Sequence, residues 1–277
     1  MNKVKSKDGT LIGFDRLGAG PALVLVDGAL CHRGFGPMPS IAKLLASHFT
    51  VFNYDRRGRG QSGDTPPYAV EREIDDIEAL IEEAGGLAYV FGTSSGAALA
   101  LEAAARLNTI KKVALYEAPF FFDDVHPPRP KDYLATMIAL IAANRRGDAL
   151  KLFMKTVGTP SVAIAVMRFT PMWSKLIAVA HTLPYDLSIV SDSRSGSPLS
   201  PQRWASVTMP ALTAVGGKSP AWWQDAMKQL ADALPNAQHH TLPGQTHMVK
   251  ANVLAPMLVE FFGASAQEKR VGLAHAI

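Results

Sequence analysis

A short run of small residues can place a nucleophile on a sharp turn. Residues 92–96 read Gly-Thr-Ser-Ser-Gly, which has the form G-x-S-x-G with Ser94 at its centre. Between a strand and a helix, this pattern exposes a serine hydroxyl on a strained turn. The apolar run 87–91 predicts that strand, and the alanine-rich run 97–105 predicts that helix. We therefore interpret Ser94 as a nucleophile; the alternative is a turn of small residues that only packs.

A serine hydroxyl is a weak nucleophile and needs a base. His247 follows the last predicted strand and precedes the last predicted helix, so it lies in a loop at the carboxyl end of the sheet. We expect His247 to be the base because a side chain in that loop can reach Ser94. The other histidines lack this placement. No metal or other cofactor is expected, because no ligand set of recognisable spacing accompanies the histidines.

A tetrahedral intermediate also needs an oxyanion hole made of two backbone N–H groups. Ser95, directly after the nucleophile, is expected to supply the first. The second is expected from Gly28 and Ala29, in the loop that follows the apolar run 22–26, since glycine permits a close backbone approach. Asp27 precedes Ser94 in the chain, and we interpret it as organising this loop rather than as the catalytic acid.

The hydrophobic pattern predicts an α/β protein with a mostly parallel sheet. Continuous apolar runs indicate strands buried on both faces, and the amphipathic segments between them indicate crossover helices. The first two strands read as a hairpin around Asp8-Gly9. The predicted strands are 4–7, 11–17, 22–26, 50–54, 87–91, 112–116, 210–215 and 237–242, and the predicted helices are 71–83, 95–107, 222–234 and 249–262.

Between residues 116 and 210 the pattern changes to helical stretches without a convincing strand. These stretches are 131–144, 146–155 and 161–181, and a polar run at 191–198 closes the section. The pattern predicts a helical cap inserted at 119–204 between two strands of a core domain formed by 1–118 and 205–277.

The cap is rich in large apolar and flexible side chains, which suit an apolar carbonyl substrate beneath it. Trp222, at the start of a later helix, is expected to rim the same pocket. The alternative is that most of the cap side chains form the cap's own core. The residues expected to contact substrate are Met137, Phe153, Met154, Met172, Trp173 and Trp222.

Composition narrows the function classes. The 277 residues are 48% hydrophobic and 19% charged, which indicates a globular protein and not a disordered one. The formal charge of +4 is mild and mostly scattered, so a nucleic-acid partner is not expected. The single cysteine, Cys31, excludes an internal disulfide. A charged start and the lack of an apolar run of roughly 20 residues predict no secretory signal, no membrane partner and a cytoplasmic location. A homodimer stays open.

Taken together, these residues resemble the α/β-hydrolase fold superfamily over nearly the whole chain. Residues 53–62, Asn-Tyr-Asp-Arg-Arg-Gly-Arg-Gly-Gln-Ser, are similar to the superfamily's Asp-x-x-Gly-x-Gly-x-Ser loop. The resemblance implies a structural role for these arginines, with phosphate binding as the alternative. The chain departs from many members by carrying Asp27-Gly28 where they have His-Gly.

The resemblance also bears on the catalytic acid. Most members carry it after the strand that follows the cap, where this chain has Ser219. Some members, including zearalenone lactonase-type enzymes, carry a glutamate at the end of an earlier strand, and Glu117 before Ala118-Pro119 matches that setting. The resemblance implies that Glu117 orients His247. An ion pair at the cap hinge is its alternative role, and the alternative acids are Asp123, Asp124 and Asp225.

The implied activity is hydrolysis of an apolar carboxylic ester or lactone through a triad of Ser94, His247 and Glu117 and an acyl-enzyme. Haloalkane dehalogenases and soluble epoxide hydrolases are disfavoured because they use an aspartate in place of Ser94. A carbon–carbon bond hydrolase and a cofactor-free haloperoxidase remain alternative enzymes. A non-catalytic small-ligand receptor on the same fold is an alternative of another class.

Overall fold

A single mixed sheet organises the chain. The computed structural model describes residues 2–120, 132–190 and 201–263. Its strands are β1 (Asn2–Lys5), β2 (Leu11–Leu17), β3 (Ala22–Val26), β4 (Thr50–Tyr54), β5 (Ala88–Thr93), β6 (Ile110–Tyr116), β7 (Ala211–Gly216) and β8 (Ala237–Leu242). They lie in the order β1-β2-β4-β3-β5-β6-β7-β8. The β1–β2 and β2–β4 pairs are antiparallel, and all the pairs from β4 through β3 to β8 are parallel.

Ten α-helices accompany this sheet over the described residues. They are α1 (Met38–Leu45), α2 (Val70–Glu83), α3 (Ser95–Arg106), α4 (Tyr133–Ala142), α5 (Arg146–Thr156), α6 (Ser161–Met167), α7 (Pro171–Val179), α8 (Leu183–Ile189), α9 (Ala221–Ala233) and α10 (Ala251–Gly263). Because successive side chains of a strand point to opposite faces of the sheet, β3 contributes side chains to two apolar cores. Val24 and Val26 pack with α2, α3 and α9, whereas Leu23 and Leu25 pack with α1 and α10.

The helices α4 to α8 lie between β6 and β7 in the chain, where the sequence predicted a helical insertion. They surround a third apolar core that includes Tyr133, Met137, Leu150 and Leu183. The helical stretch predicted over 161–181 contains two helices, α6 and α7, and not one. Pro171 starts α7, because proline has no N–H to donate and its ring clashes with the preceding turn.

The break at Pro171 also matters for membrane crossing. Over the described residues, no single helix is both long and apolar enough to cross a membrane. The pair Ser161–Met167 and Pro171–Ile189, bent by 99°, meets the length and composition criteria only when the two arms are combined.

The predicted strands agree with the observed ones to within two residues at each end. Two short helices, α1 and α8, were not predicted, since each has eight residues or fewer and carries proline in its first turn. The polar run 191–198 lies outside the described residues. Helix α8 carries Asp186, which lines the cavity beside Ser94.

The arginines of the loop after β4 are buried and paired. Arg56 makes two 2.7 Å bonds to the Glu73 carboxylate, and Arg57 makes bonds of 2.7 and 2.8 Å to the Asp76 carboxylate. Both carboxylates belong to α2, and Arg56, Arg57 and Arg59 are each about 1% exposed. A buried guanidinium must be neutralised, and bidentate pairing with a carboxylate does so. The cluster therefore ties its loop to α2, which agrees with the structural role predicted for it.

Candidate active site

Ser94 occupies the turn between β5 and α3 in a backbone conformation that L-amino acids rarely adopt. Its φ is 53° and its ψ is −130°. The turn is held by a 2.9 Å bond from the Ser94 N–H to the Tyr116 carbonyl oxygen. A side chain at Gly92 would collide with the Gly96 carbonyl oxygen, and one at Gly96 would collide with the Val26 carbonyl oxygen. The two glycines of the motif are therefore required by close packing around the strained serine.

His247 lies in the loop between β8 and α10, and its side chain is 39% exposed. Its Nδ1 is 2.7 Å from Oε2 of Glu117. A carboxylate accepts a hydrogen bond there, so the ring carries its proton on Nδ1 and leaves the Nε2 lone pair free to act as a base. The ring of Trp223 packs on the imidazole with 4.6 Å between ring centres. The carboxylate and the tryptophan together limit the orientations that the ring can take.

Glu117 directly follows β6, has a left-handed φ of 49° and is fully buried. Besides His247, its carboxylate accepts the Gly216 N–H at 2.8 Å and the Ser219 hydroxyl at 2.5 Å. Three donors satisfy the charge that burial would otherwise penalise. Ser219, which stands where most members of the superfamily have the acid, thus donates to the glutamate that contacts His247.

The alternative acids are placed differently. Asp225 is exposed on α9, and Asp123 and Asp124 lie outside the described residues. Among the part of the chain that the structure describes, Glu117 is the carboxylate that contacts His247.

The loop after β3 approaches Ser94 closely. A Cβ at Gly28 would lie 3.1 Å from the Ser94 Cβ and 3.3 Å from the Thr93 carbonyl oxygen, so a larger residue would crowd this approach. The Gly28 N–H donates at 2.9 Å to the Asp27 carboxylate and is therefore not free for an oxyanion. The N–H groups of Ala29 and Ser95 donate no hydrogen bond within the described residues. Of the three predicted oxyanion residues, Ala29 and Ser95 can be donors, whereas Gly28 provides clearance.

Asp27 organises the loop, as expected from its position in the chain. One carboxylate oxygen accepts the Gly28 N–H, while the other, Oδ2, is buried without a hydrogen-bond partner among the described residues. Burial of this carboxyl group raises its pKa to about 7, even though the Gly28 N–H and the nearby guanidinium groups of Arg59 and Arg56 oppose the shift.

One cavity of about 380 Å³ connects these groups. Its described lining includes Ser94, His247, Ala29 and Ser95, so the candidate nucleophile, the candidate base and both candidate oxyanion donors border the same space. Two of the residues expected to contact substrate, Phe153 and Trp222, also line it. The further apolar lining includes Phe35, Pro37, Pro119, Leu187, Val190, Trp223 and Val249.

The other four residues expected to contact substrate do not line the cavity. Met137 is fully buried and Met154 is 8% exposed, because both point into the core shared by α4, α5 and α8. Met172 is 39% exposed on α7. Trp173 packs against the outside of the same helical core, with the Arg168 guanidinium 5.9 Å from its ring centre. The alternative interpretation, in which these side chains form the core of the helical segment itself, holds for Met137 and Met154.

Sequence reasoning missed several residues of the lining. Asp186 and Leu187 were overlooked because α8 was not predicted. Trp223 could have been found from its neighbour Trp222, since the two rings stack at 4.9 Å and both reach the cavity. Over the described residues, no group of three or more His, Cys, Asp or Glu side chains is arranged to hold a metal ion.

Comparisons with known proteins agree with this architecture. A model described as the Alpha/beta hydrolase family matches residues 23–256. A structure of an alpha/beta hydrolase from Sphaerobacter thermophilus DSM 20745 is 50% identical, with a TM-score of 0.86 over 94% of this chain and 100% of that one. An esterase from Exiguobacterium antarcticum is 18% identical, with a TM-score of 0.71 over 95% and 99% of the two chains, and at that identity it shows the fold alone.

A curated relative is also similar over part of its length. The uncharacterized hydrolase YraK of Bacillus subtilis (strain 168) is 31% identical over 154 residues, which are 53% of this chain. The match spans 55% of YraK, so the chain covers only about half of that protein.

The raised pKa of Asp27 predicts a pH-dependent stability. The Asp27 carboxyl group binds its proton more tightly in the folded protein than in the unfolded chain. Protonated Asp27 therefore stabilises the folded state below a pH of about 3.8, and this stabilisation is lost as the pH rises through about 7. Asp27→Asn should therefore lose less free energy of unfolding than the wild type between about pH 5 and about pH 8, as measured by urea denaturation. Asp225→Asn, at an exposed position, is the control and should keep the wild-type slope. Equal slopes for Asp27→Asn and the wild type would contradict this account.

Proposed function

Because the chain belongs to the Alpha/beta hydrolase family, we propose that it is a serine hydrolase that cleaves an apolar carboxylic ester or lactone. The observation that carries the proposal is the 2.7 Å contact between His247 Nδ1 and Glu117 Oε2. It leaves the other ring nitrogen as a base on the cavity that Ser94 also lines. A non-catalytic receptor has no need for an imidazole that borders the same cavity as a serine and is held by a buried carboxylate.

The proposed chemistry has two halves. In the first, Ser94 Oγ attacks the substrate carbonyl carbon while His247 Nε2 takes the hydroxyl proton. The tetrahedral intermediate collapses, His247 gives that proton to the leaving oxygen, and an acyl-enzyme remains. In the second half, His247 takes a proton from water, whose oxygen attacks the acyl carbon. The proton returns to Ser94 as the carboxylic acid leaves. Glu117 stabilises the imidazolium formed in both halves.

The backbone donors stabilise the negative charge of each tetrahedral intermediate. The Ala29 and Ser95 N–H groups are the candidates, because neither is used within the described residues and both residues line the cavity. Ser95 is also the first residue of α3, so the partial positive charge of the helix N-terminus adds to its effect. Removal of one oxyanion donor costs roughly 10²- to 10³-fold in kcat in a well-studied serine protease.

The cavity chemistry supports an apolar, uncharged substrate. A volume of about 380 Å³ lies within the range of small-molecule sites. Among the described residues of its lining there is no lysine or arginine, while Asp27 and Asp186 are present. A charged carboxylate in the acyl group would find no cation to pair with there. We propose that α4, α5 and α8 act as the cap over this pocket, since Tyr133, Phe153 and Leu187 come from them.

The first test of the proposal is covalent labelling. The wild type should hydrolyse p-nitrophenyl butyrate and react with a fluorophosphonate, and mass spectrometry should map the adduct to Ser94. Ser94→Ala should lose both reactions. Ser206→Ala, which alters a surface serine bonded to the Ala105 carbonyl oxygen, is the matched control and should keep both. No turnover together with no labelling would favour the receptor alternative, and an adduct at another residue would remove Ser94 from its role.

The acid can be tested by Glu117→Gln. Glutamine keeps the size of the side chain and can still accept the Gly216 N–H, but it cannot stabilise an imidazolium by charge. We expect kcat to fall by roughly 10³- to 10⁴-fold in steady-state assays, with a folded protein by circular dichroism. Asp225→Asn, on the surface of α9, should keep its kcat. Near-normal turnover in Glu117→Gln beside a collapse in Asp225→Asn would move the acid to α9.

The substrate class can be tested at the cavity wall. Phe153→Ala removes an apolar ring from the lining and should raise KM for long apolar p-nitrophenyl esters by roughly 3- to 30-fold, with less effect on the acetate. Met172→Ala, on α7 and outside the lining, is the control. A wild-type preference for short charged acyl groups over apolar ones would contradict the pocket argument. A vinylogous diketone assayed beside the esters tests the alternative of carbon–carbon bond cleavage.

A further inference from the structure

Asp186 on α8 is a buried carboxylate at the wall of the cavity. It is 2% exposed and lines the cavity. Its Oδ1 accepts the Ser95 hydroxyl at 2.7 Å and Arg56 Nη1 at 2.7 Å, and its Oδ2 accepts Arg59 Nη2 at 2.6 Å. Burial alone would raise the pKa of this carboxyl group, but Arg59, Arg56 and the Ser95 hydroxyl outweigh burial and hold the pKa below its ordinary value. Asp186 is therefore ionised at neutral pH.

Asp186 and the groups that bond to it form a hydrogen-bond network, and Arg59 connects this network to the loop after β3. Arg59 uses Nη2 for Asp186 and uses Nη1 to donate to the Gly28 carbonyl oxygen at 2.6 Å. The Gly28–Ala29 peptide is planar and trans, so its C=O and its N–H point in opposite directions. Fixing the Gly28 oxygen therefore fixes the direction of the Ala29 N–H, one of the two candidate oxyanion donors.

The same network also includes Ser95, the other candidate oxyanion donor. The Ser95 hydroxyl bonds to Asp186, and the Ser95 N–H is the first of α3. One carboxylate thus holds the side chain of Ser95 directly and the Gly28–Ala29 peptide through Arg59. With Arg56 and its partner Glu73, the cluster holds two cations and two anions, so it adds little net charge to the cavity. Its contribution is one of geometry.

We infer that Asp186 is a positioning residue that aligns both oxyanion donors, Ala29 directed through Arg59 and Ser95 directed by its hydroxyl. This inference rests on the proposed function for the meaning of the two N–H groups, but the alignment itself is a property of the fold. Because α8 belongs to the helical segment between β6 and β7, the same contacts make the segment part of the oxyanion hole and more than a cover over the pocket.

The test compares two aspartates that are both buried and paired with arginine. Asp186→Asn removes the charge that holds Arg59 and weakens the bond to Ser95. Asp76→Asn removes an equally buried carboxylate that pairs with Arg57, away from the cavity lining. We expect kcat for p-nitrophenyl butyrate to fall by roughly 10- to 100-fold in Asp186→Asn, with KM within about threefold of the wild type. Asp76→Asn should lose stability in urea but keep its kcat.

A pair of inhibitors distinguishes misaligned oxyanion donors from a general loss of binding to the pocket. An alkylboronic acid forms a tetrahedral adduct on Ser94 that places an oxygen in the oxyanion hole, whereas the matching alkyl alcohol binds the pocket without one. In Asp186→Asn, the Ki of the boronic acid should rise by about the same factor as kcat falls, and the Ki of the alcohol should not. Equal loss of both inhibitors, or unchanged kcat in a folded Asp186→Asn protein, would overturn the inference.

Two further measurements keep the result decisive. If Asp186→Asn does not fold, Ser95→Ala removes the hydrogen bond from the Ser95 hydroxyl to Asp186 without removing an ion pair. This variant should lower kcat and raise the Ki of the boronic acid by a similar factor of roughly 3 to 10. Crystal structures of the variants record the Gly28–Ala29 peptide orientation without any turnover. A Gly28–Ala29 peptide that is reoriented in Asp186→Asn but not in Asp76→Asn supports the inference. This result holds even if the wild type fails to cleave esters, because that failure would refute only the proposed function. An unchanged peptide would overturn the inference.

Discussion

The close contact between the first turn of α3 and the end of β3 sets the geometry of the whole site. Gly96 lies so near the backbone oxygens of Val26 and Asp27 that a methyl group there would collide with both. This contact holds the strained Ser94 against Gly28 and brings the loop after β3 close to the Ser94 side chain. Parallel pairing of β3 with β5 makes the approach possible, since the two strands end at the same edge of the sheet. Everything else in the site is arranged around that meeting point.

A second constraint is the cost of burying the Glu117 carboxylate. The group is fully buried just after β6, where the last residue of the parallel strand β7 supplies the Gly216 N–H and the following turn supplies the Ser219 hydroxyl. These donors leave Oε2 for His247. Ser219, in the turn after β7, thus donates to a carboxylate that directly follows the neighbouring strand β6. The same carboxylate contacts the imidazole of His247.

The buried arginines connect this edge of the sheet to the helical segment. Arg56 bridges Glu73 on α2 and Asp186 on α8, and Arg59 bridges Asp186 and the Gly28 carbonyl oxygen. Buried ion pairs add little to stability against a well-packed apolar core, but they impose strict directions on the groups they join. The cluster therefore fixes the orientation of the loop after β3, which lies beside Ser94.

The sequence by itself determined the features that depend on neighbouring residues. The strands, most helices, the Ser94 turn and the placement of His247 in a loop after β8 all follow from local patterns of apolar residues, glycine and proline. Only the tertiary structure decided which groups meet. The contact of Glu117 with His247 spans 130 residues, and so does that of Arg56 with Asp186. The first contact depends on strand order, and the sequence predicted it only through a family resemblance. The second depends on α8, whose seven residues are too few for a clear helical period, so no pattern in the chain predicts it.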